Sequence, residues 1–331
     1  MHNLRRARPT LKVLSTLNAG WENPIRQRAV TARNWDALHP FPDLEHPLIL
    51  KSAETYGDDP ANDPAPQHIS CARDFRLLKV RSGQWRGAIW EDPESGSRWL
   101  VAAGLAKGGH SDRDDVYEQL AAVIDRGRGG ELLPTEEDRR LHKLECAAWA
   151  MTAWGLAIQG RIRVALVQLG SASSAAFEVP HPRSGELYAT VEINCITDDP
   201  ELEEYVVDIH WPGNQQTSPL AWEMIQRVLT SIAPTAQQWD TADGVYSQYA
   251  EVGHRVKRIG ELFAAETAKE LLAAEPGKVS HYTHRTHIAR STVEGKAVRA
   301  MCGVHFVAVQ DHHGMPLCPE CAALFSLAKK G

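Results

Sequence analysis

No run of about 18 uncharged apolar residues occurs anywhere in the chain, so a membrane-spanning helix is not expected. The opening MHNLRRARPT lacks the apolar stretch of a secretory signal, and the expectation is a protein that stays in the cytoplasm. Cysteine is scarce. Six residues (Cys71, Cys146, Cys195, Cys302, Cys318, Cys321) in 331 are too few for a disulfide-stapled scaffold, and in a reducing compartment such thiols are free or hold metal. The familiar catalytic signatures are missing too: no Gly-rich phosphate loop, no Gly-x-Ser-x-Gly and no His-Glu-x-x-His.

What is present is ordinary globular composition, 43% hydrophobic and 24% charged, in a length that usually divides into two or three cores. The net charge of −6 argues against a uniformly basic nucleic-acid binder, but the charge is unevenly spread. Residues 1–33 hold seven Lys/Arg and one acid, residues 131–215 fourteen acids and six bases, and residues 277–331 seven bases, three acids and six histidines. Opposite charges in one chain imply separate partners or an internal mask over a basic surface.

Patterning predicts an α+β protein. Residues 1–70 read as a basic arm, its RRAR a solvated tail, followed by a Pro/Asp-rich linker, EHPLILKSAETYGDDPANDPAPQH. From Cys71, FRLLKV, WRGAIWE and RWLVAAG are short β-type runs separated by turn residues, and DDVYEQLAAVIDR has helical spacing, closing a domain near residue 130. Residues 131–235 read as an acidic domain. A helix opens at Pro134, RIRVALVQL, LYATVEINC and EYVVDIHW follow as strands, and PLAWEMIQRVLTSIAP closes it as a helix. Residues 236–276 read as a helical connector and 277–331 as a metal module. On the helix after Pro134, His142, Glu145 and Cys146 are spaced for one face, a spacing that suits metal binding but reads rather as an exposed polar stripe; His181, His210 and Trp211 have no matching partners.

The last segment carries the clearest chemistry. Cys318-Pro-Glu-Cys321 places two thiolates on one tight turn, and Cys302 lies upstream in CGVHF. Structural Zn²⁺ takes four N/S ligands tetrahedrally, and His281, His284, His287, His305, His312 and His313 are all candidates for the fourth. The flanks lack the βαβ pattern that would make the pair a thioredoxin-like redox motif. HYTHRTHIARSTVEGKAVRAMCGVHFVAVQDHHGMPLCPECAALF resembles a small domain of unknown function that opens on His-Tyr and closes on Cys-Pro-x-Cys. That resemblance implies His281 as the fourth ligand, with His305 the alternative, and zinc as the cofactor; it implies no activity.

A second resemblance concerns residues 75–117. Arg81-Ser-Gly-Gln-Trp-Arg86, a strand, a turn, Trp-Leu-Val-Ala-Ala-Gly104 and a later Tyr117 resemble the RelE/ParE-type toxins, small ribonuclease domains. LAKGGHSDRDDVY is longer than the family's Gly-His-Arg element, and Lys107, His110 and Arg113 are approximate stand-ins. The resemblance implies an RNA-cleaving toxin or phage-defence effector, metal-independent at its active site. Its partners would be RNA or the ribosome and an antitoxin protein. Arg81 and Arg86 would clamp a phosphate while His110 or Tyr117 carried protons, and the two arginines are expected on one sheet face. The competing reading makes Trp85 and Trp90 core residues beside solvent-facing arginines, and the chain a non-enzymatic zinc-containing adaptor for nucleic acid or protein.

Overall fold

The computed structural model describes residues 5–106, 116–197, 202–233, 239–242, 244–273, 279–284, 288, 298–306, 308 and 312–329. The chain is α+β and divides into two compact units, Met1–Trp149 and Ala150–Gly331. Among the described residues no helix is long and apolar enough to cross a membrane.

The first unit is built on one sheet. β1 (Arg8–Pro9), β2 (Leu78–Ser82), β3 (Trp85–Glu91) and β4 (Arg98–Leu105) lie in the order β1-β4-β3-β2, with β1 parallel to β4 and the rest antiparallel. The expected three-strand meander is therefore present, with an added edge strand from the N-terminus. Three helices precede it: α1 (Leu11–Thr16), α2 (Pro24–Thr31) and α3 (Pro47–Thr55). Val13, Leu14, Leu17, Val30, Leu48 and Ile49 pack from this N-terminal region against Leu78, Val80, Ile89 and Leu100. On the other face Ala88, Trp99 and Val101 meet Leu120 of α4 (Val116–Asp125) together with Ile69, Leu77 and Leu132. Gly87 sits where a Cβ would come within 2.6 Å of Leu100 Cδ1 on β4, 2.9 Å of Val80 Cγ1 on β2 and 3.3 Å of Leu48 Cδ2 on α3, so the side chains packed over β3 leave no room for one at this position.

The arm-and-linker reading of residues 1–70 is thus corrected. Asn23 and His46 cap helices that start on Pro24 and Pro47, and Leu48, Ile49, Ser52 and Ala53 of the supposed linker are buried. Arg8 of the RRAR motif is only 1% exposed.

The unit boundary falls within α5 (Glu136–Gln168). RIRVALVQL, expected as a strand, is the end of that helix. Ile162, Val164 and Leu166 alternate as in a strand, but Ile158, Ile162, Ala165, Leu166 and Leu169 recur at helical spacing, and these are the buried ones while Val164 is 49% exposed. In the second unit β5 (Ser174–Pro180), β6 (Leu187–Ile196), β7 (Leu202–His210), β8 (Asp240–Ala242) and β9 (Val245–Glu251) form an antiparallel sheet of order β5-β6-β7-β9-β8. One face buries Val191, Ile193, Tyr205 and Val207 against α5 and α6 (Pro219–Ile232), the other is partly exposed and acidic, with Glu192 directly opposite Asp208. The connector reading of residues 236–276 is corrected as well: β8 and β9 belong to this sheet, and among the described residues of this stretch only α7 (His254–Ala268) is helical. The C-terminal part adds the hairpin β10 (Val298–Arg299) and β11 (His305–Phe306) and ends on α8 (Pro319–Ala328).

Candidate functional site

Three short backbone segments converge near the C-terminus. The stretch around His281 runs between the other two: Ser280 N–H donates to Pro316 O at 2.9 Å and Cys318 N–H to Ser280 O at 2.8 Å on one side. On the other side Met301 N–H donates to Tyr282 O at 2.7 Å. Cys302 lies in the turn between β10 and β11, where Gly303 takes φ +92° and donates to Ala300 O. Cys318 caps α8, Pro319 opens it, and Cys321 sits in its first turn, so one helix start carries both thiols.

The result is one cluster. The ligand atoms of His281, Cys302, Cys318 and Cys321 all lie within 4.8 Å of one another. His281 Nδ1 is 3.4 Å from Cys302 Sγ and 3.6 Å from Cys321 Sγ. A tetrahedron with metal–sulfur bonds of about 2.3 Å and metal–nitrogen bonds of about 2.0 Å has S···N edges of about 3.5 Å, so the side chains already stand at ligand separation. Burial pushes the Cys302 thiol up to about 12, and the neighbouring Cys321 and Cys318 sulfurs push the same way; burial also lowers His281, keeping its imidazole neutral. Three sulfurs and a neutral imidazole so arranged can hold a metal ion. Cys318 and Cys321 are buried, and Val298 and Ala300 complete a small core around them. Of the other histidines the sequence offered, His287 and the side chain of His305 lie outside the described residues, and the imidazole in the cluster is that of His281.

The four side chains form a Cys₃His set able to hold one metal ion. Residues 273–327, which take in all four of these side chains, match the model of a family described as Protein of unknown function (DUF3039). No curated protein and no solved structure matches the chain.

In the first unit β2 and β3 place Arg81 directly opposite Arg86. Directly opposed residues share a sheet face, and Lys79, two positions before Arg81, shares it too. Lys79 Nζ stands 5.8 Å from the centre of the Tyr117 ring at the start of α4. Arg81 is exposed; Arg86 Nη1 donates to Gly83 O at 2.7 Å and Trp85 O at 2.9 Å. Among the described residues neither arginine has a carboxylate partner within 4.0 Å. His110, with Lys107 and Arg113, lies outside the described residues. Lys79 was missed in the sequence although the Lys-x-Arg alternation of LKVRS marks one strand face. Trp85 and Trp90 both pack against the cores of this unit, Trp85 with its ring 4.7 Å from that of His46.

The supposed polar stripe of α5 is corrected: His142 and Glu145 are 6% and 7% exposed. His142 Nε2 lies 3.0 Å from Ser97 Oγ, its Nδ1 meets Arg8, and Glu145 bonds Arg8, His39 and the backbone N–H of Phe41. No metal cluster forms there among the described residues. His181 and Trp211 both stand edge-on to Tyr188, at 5.5 and 5.4 Å.

Proposed function

We propose that the first unit cleaves RNA without a metal at its active site, as a RelE-like toxin or phage-defence effector, and that the C-terminal cluster holds a structural Zn²⁺. The observation that carries the cleavage reading is the direct opposition of Arg81 and Arg86. Like charges facing each other across two strands destabilise a sheet by about 0.2–1 kcal/mol, a cost that a bound phosphate removes. Lys79 lies on the same face, which gives that face three cations, and the two guanidinium forks would hold a phosphate between them.

Cleavage moves two protons. The 2′-oxygen gives up its proton as it attacks phosphorus, and the 5′-oxygen takes one as its P–O bond breaks, leaving a cyclic phosphate and a free 5′-hydroxyl. Arg81 and Arg86 stabilise the charge on the pentacoordinate phosphorus; Tyr117, beside Lys79, and His110 are the proton carriers. Zinc is the ion that the donor set favours, since thiolates and imidazole in a closed four-ligand site suit it best.

One observation favours a second reading. Arg86 is hydrogen-bonded to its own turn and Trp85 and Trp90 are packed, as expected of a non-enzymatic adaptor that binds nucleic acid or protein through its zinc module. Expression of the wild type and of Arg81→Ala/Arg86→Ala, scored for growth arrest and RNA cleavage, separates the two. Loss of both effects in the double variant supports the nuclease, and identical behaviour of the two proteins leaves the adaptor.

A further inference from the structure

Two aromatic rings on the metal module have no part in its core. Tyr282 and Phe325 stack with ring centres 4.5 Å apart at a tilt of 33°, and Tyr282 is 37% exposed. The core of the module is made instead by Val298, Ala300, Cys318 and Cys321, with Val279, Cys302, Val304 and Ala308 against them. Both rings nevertheless stand next to side chains of the Cys₃His cluster. Tyr282 follows His281 directly, and Phe325 stands one helical turn beyond Cys321 on α8. Lys329 places its Nζ 4.5 Å from the centre of the Phe325 ring.

We infer that the Tyr282–Phe325 pair is a stacking platform for the bases of a single-stranded nucleic acid, with Lys329 serving the phosphates beside it. Tyr282 is the exposed ring of the pair and Phe325, half-buried, backs it; an aromatic ring so supported with a cation alongside is an arrangement on which unpaired bases stack, because every base offers a π-face and every linkage a negative charge. Charge argues for the same ligand: residues 277–331 carry seven Lys/Arg against three acids in a chain whose net charge is −6, a local basic excess that suits a polyanion. A duplex does not fit, since its bases are already stacked on one another and present only their edges. The platform goes beyond the cleavage proposed for the first unit and stands whether or not that unit is active.

The test uses the full zinc-loaded chain carrying Arg81→Ala/Arg86→Ala, so that binding is read apart from cleavage. Fluorescence anisotropy is measured with a labelled 12-nucleotide oligouridine, an oligodeoxythymidine of the same length and a hairpin duplex; the tighter of the two single strands identifies the sugar preferred. In that background Tyr282→Leu and Phe325→Leu keep apolar bulk and remove the π-face, and each is expected to weaken single-strand binding about 5- to 150-fold. Tyr282→Phe restores it, and Lys329→Ala, which touches neither a ligand nor the core, weakens binding and flattens its salt dependence. Zinc content is measured in every sample. Leucine variants that retain a full equivalent of zinc yet bind within twofold of the parent overturn the inference. So does a duplex that binds as tightly as the single strands, or a parent protein that binds neither strand.

Discussion

Arg8 and Glu145 meet inside the first unit, Nη1 to Oε2 at 2.5 Å, with side chains 1% and 5% exposed. The carboxylate also bonds His39 and the backbone of Phe41, while the guanidinium lies 5.4 Å from the centre of the Phe41 ring and 5.2 Å from that of Trp99. An ion pair this deep joins the edge strand β1 to α5 and makes the N-terminal residues part of the fold. Its two charges are tolerable only together, because each alone would be a buried ion without a counter-charge.

Arg8→Ala is therefore expected to destabilise the first unit by about 3–5 kcal/mol. The double variant Arg8→Ala/Glu145→Ala should cost less than the two single changes added, since it leaves no orphaned charge. Urea denaturation followed by tryptophan fluorescence measures both, and strict additivity would sink the claim.

The same cluster makes stability fall in acid. Burial, and after it the Arg8 charge, lowers His142 to about 4 from an ordinary 6.5; Glu145 and Asp92 act against this but do not cancel it. A base whose folded value is depressed binds its proton more readily in the unfolded chain. Its contribution is fully present above about pH 6.5 and is withdrawn as pH falls toward 4. At about 1.4 kcal/mol per unit this amounts to about 3 kcal/mol. His142→Gln, which can still bond Ser97, should flatten the stability curve between pH 4 and 6.5.

Much of this was legible in the sequence and some was not, for physical reasons. The Cys-x-x-Cys knuckle is a local device whose spacing alone brings two sulfurs together, and β2, β3 and β4 are joined by short turns, so both could be read. Asn23-Pro24 and His46-Pro47 are helix-start signals that a basic, proline-rich composition obscured. Asp243-Gly244 stands between paired Ala242 and Val245, the strongest short hairpin signal, inside what read as a connector. Residues 161–168 satisfy both periods, and only burial decided for the helix. The burial of Arg8 could not be read at all, because its partner lies at the far end of the unit and one sequence shows no pairing.

The zinc proposed for the Cys₃His cluster predicts one equivalent per chain in protein purified without chelators, by mass spectrometry of the metal. Cys302→Ser should lower zinc affinity by at least tenfold, and affinity should fall as pH is lowered because protons compete for the sulfurs. Chelation should expose the amides of α8 to hydrogen exchange while those of β2, β3 and β4 stay protected. Purified protein with well under one equivalent of bound zinc would remove the assignment.

The most demanding prediction concerns Arg81 and Arg86. Because they oppose each other at the end of one hairpin, each should contribute a few kcal/mol to holding the phosphorane, and alanine at either should cut cleavage by about 10²- to 10³-fold. The fold should survive both changes: Arg81 is exposed, and removing a like charge from the opposite strand relieves the sheet. Tyr117 and His110 are separated by pH dependence, since loss of a proton carrier changes the shape of the rate profile, whereas loss of a packing aromatic lowers stability and leaves the profile in place. Lys79→Gln distinguishes a further role. If its ammonium helps to bind phosphate, the Michaelis constant rises with little change in turnover; if it serves only to cover the Tyr117 ring, neither constant moves. Cleavage by the Arg81→Ala/Arg86→Ala protein at the wild-type rate would show that the cationic face does no chemistry and would leave the zinc module as the seat of function.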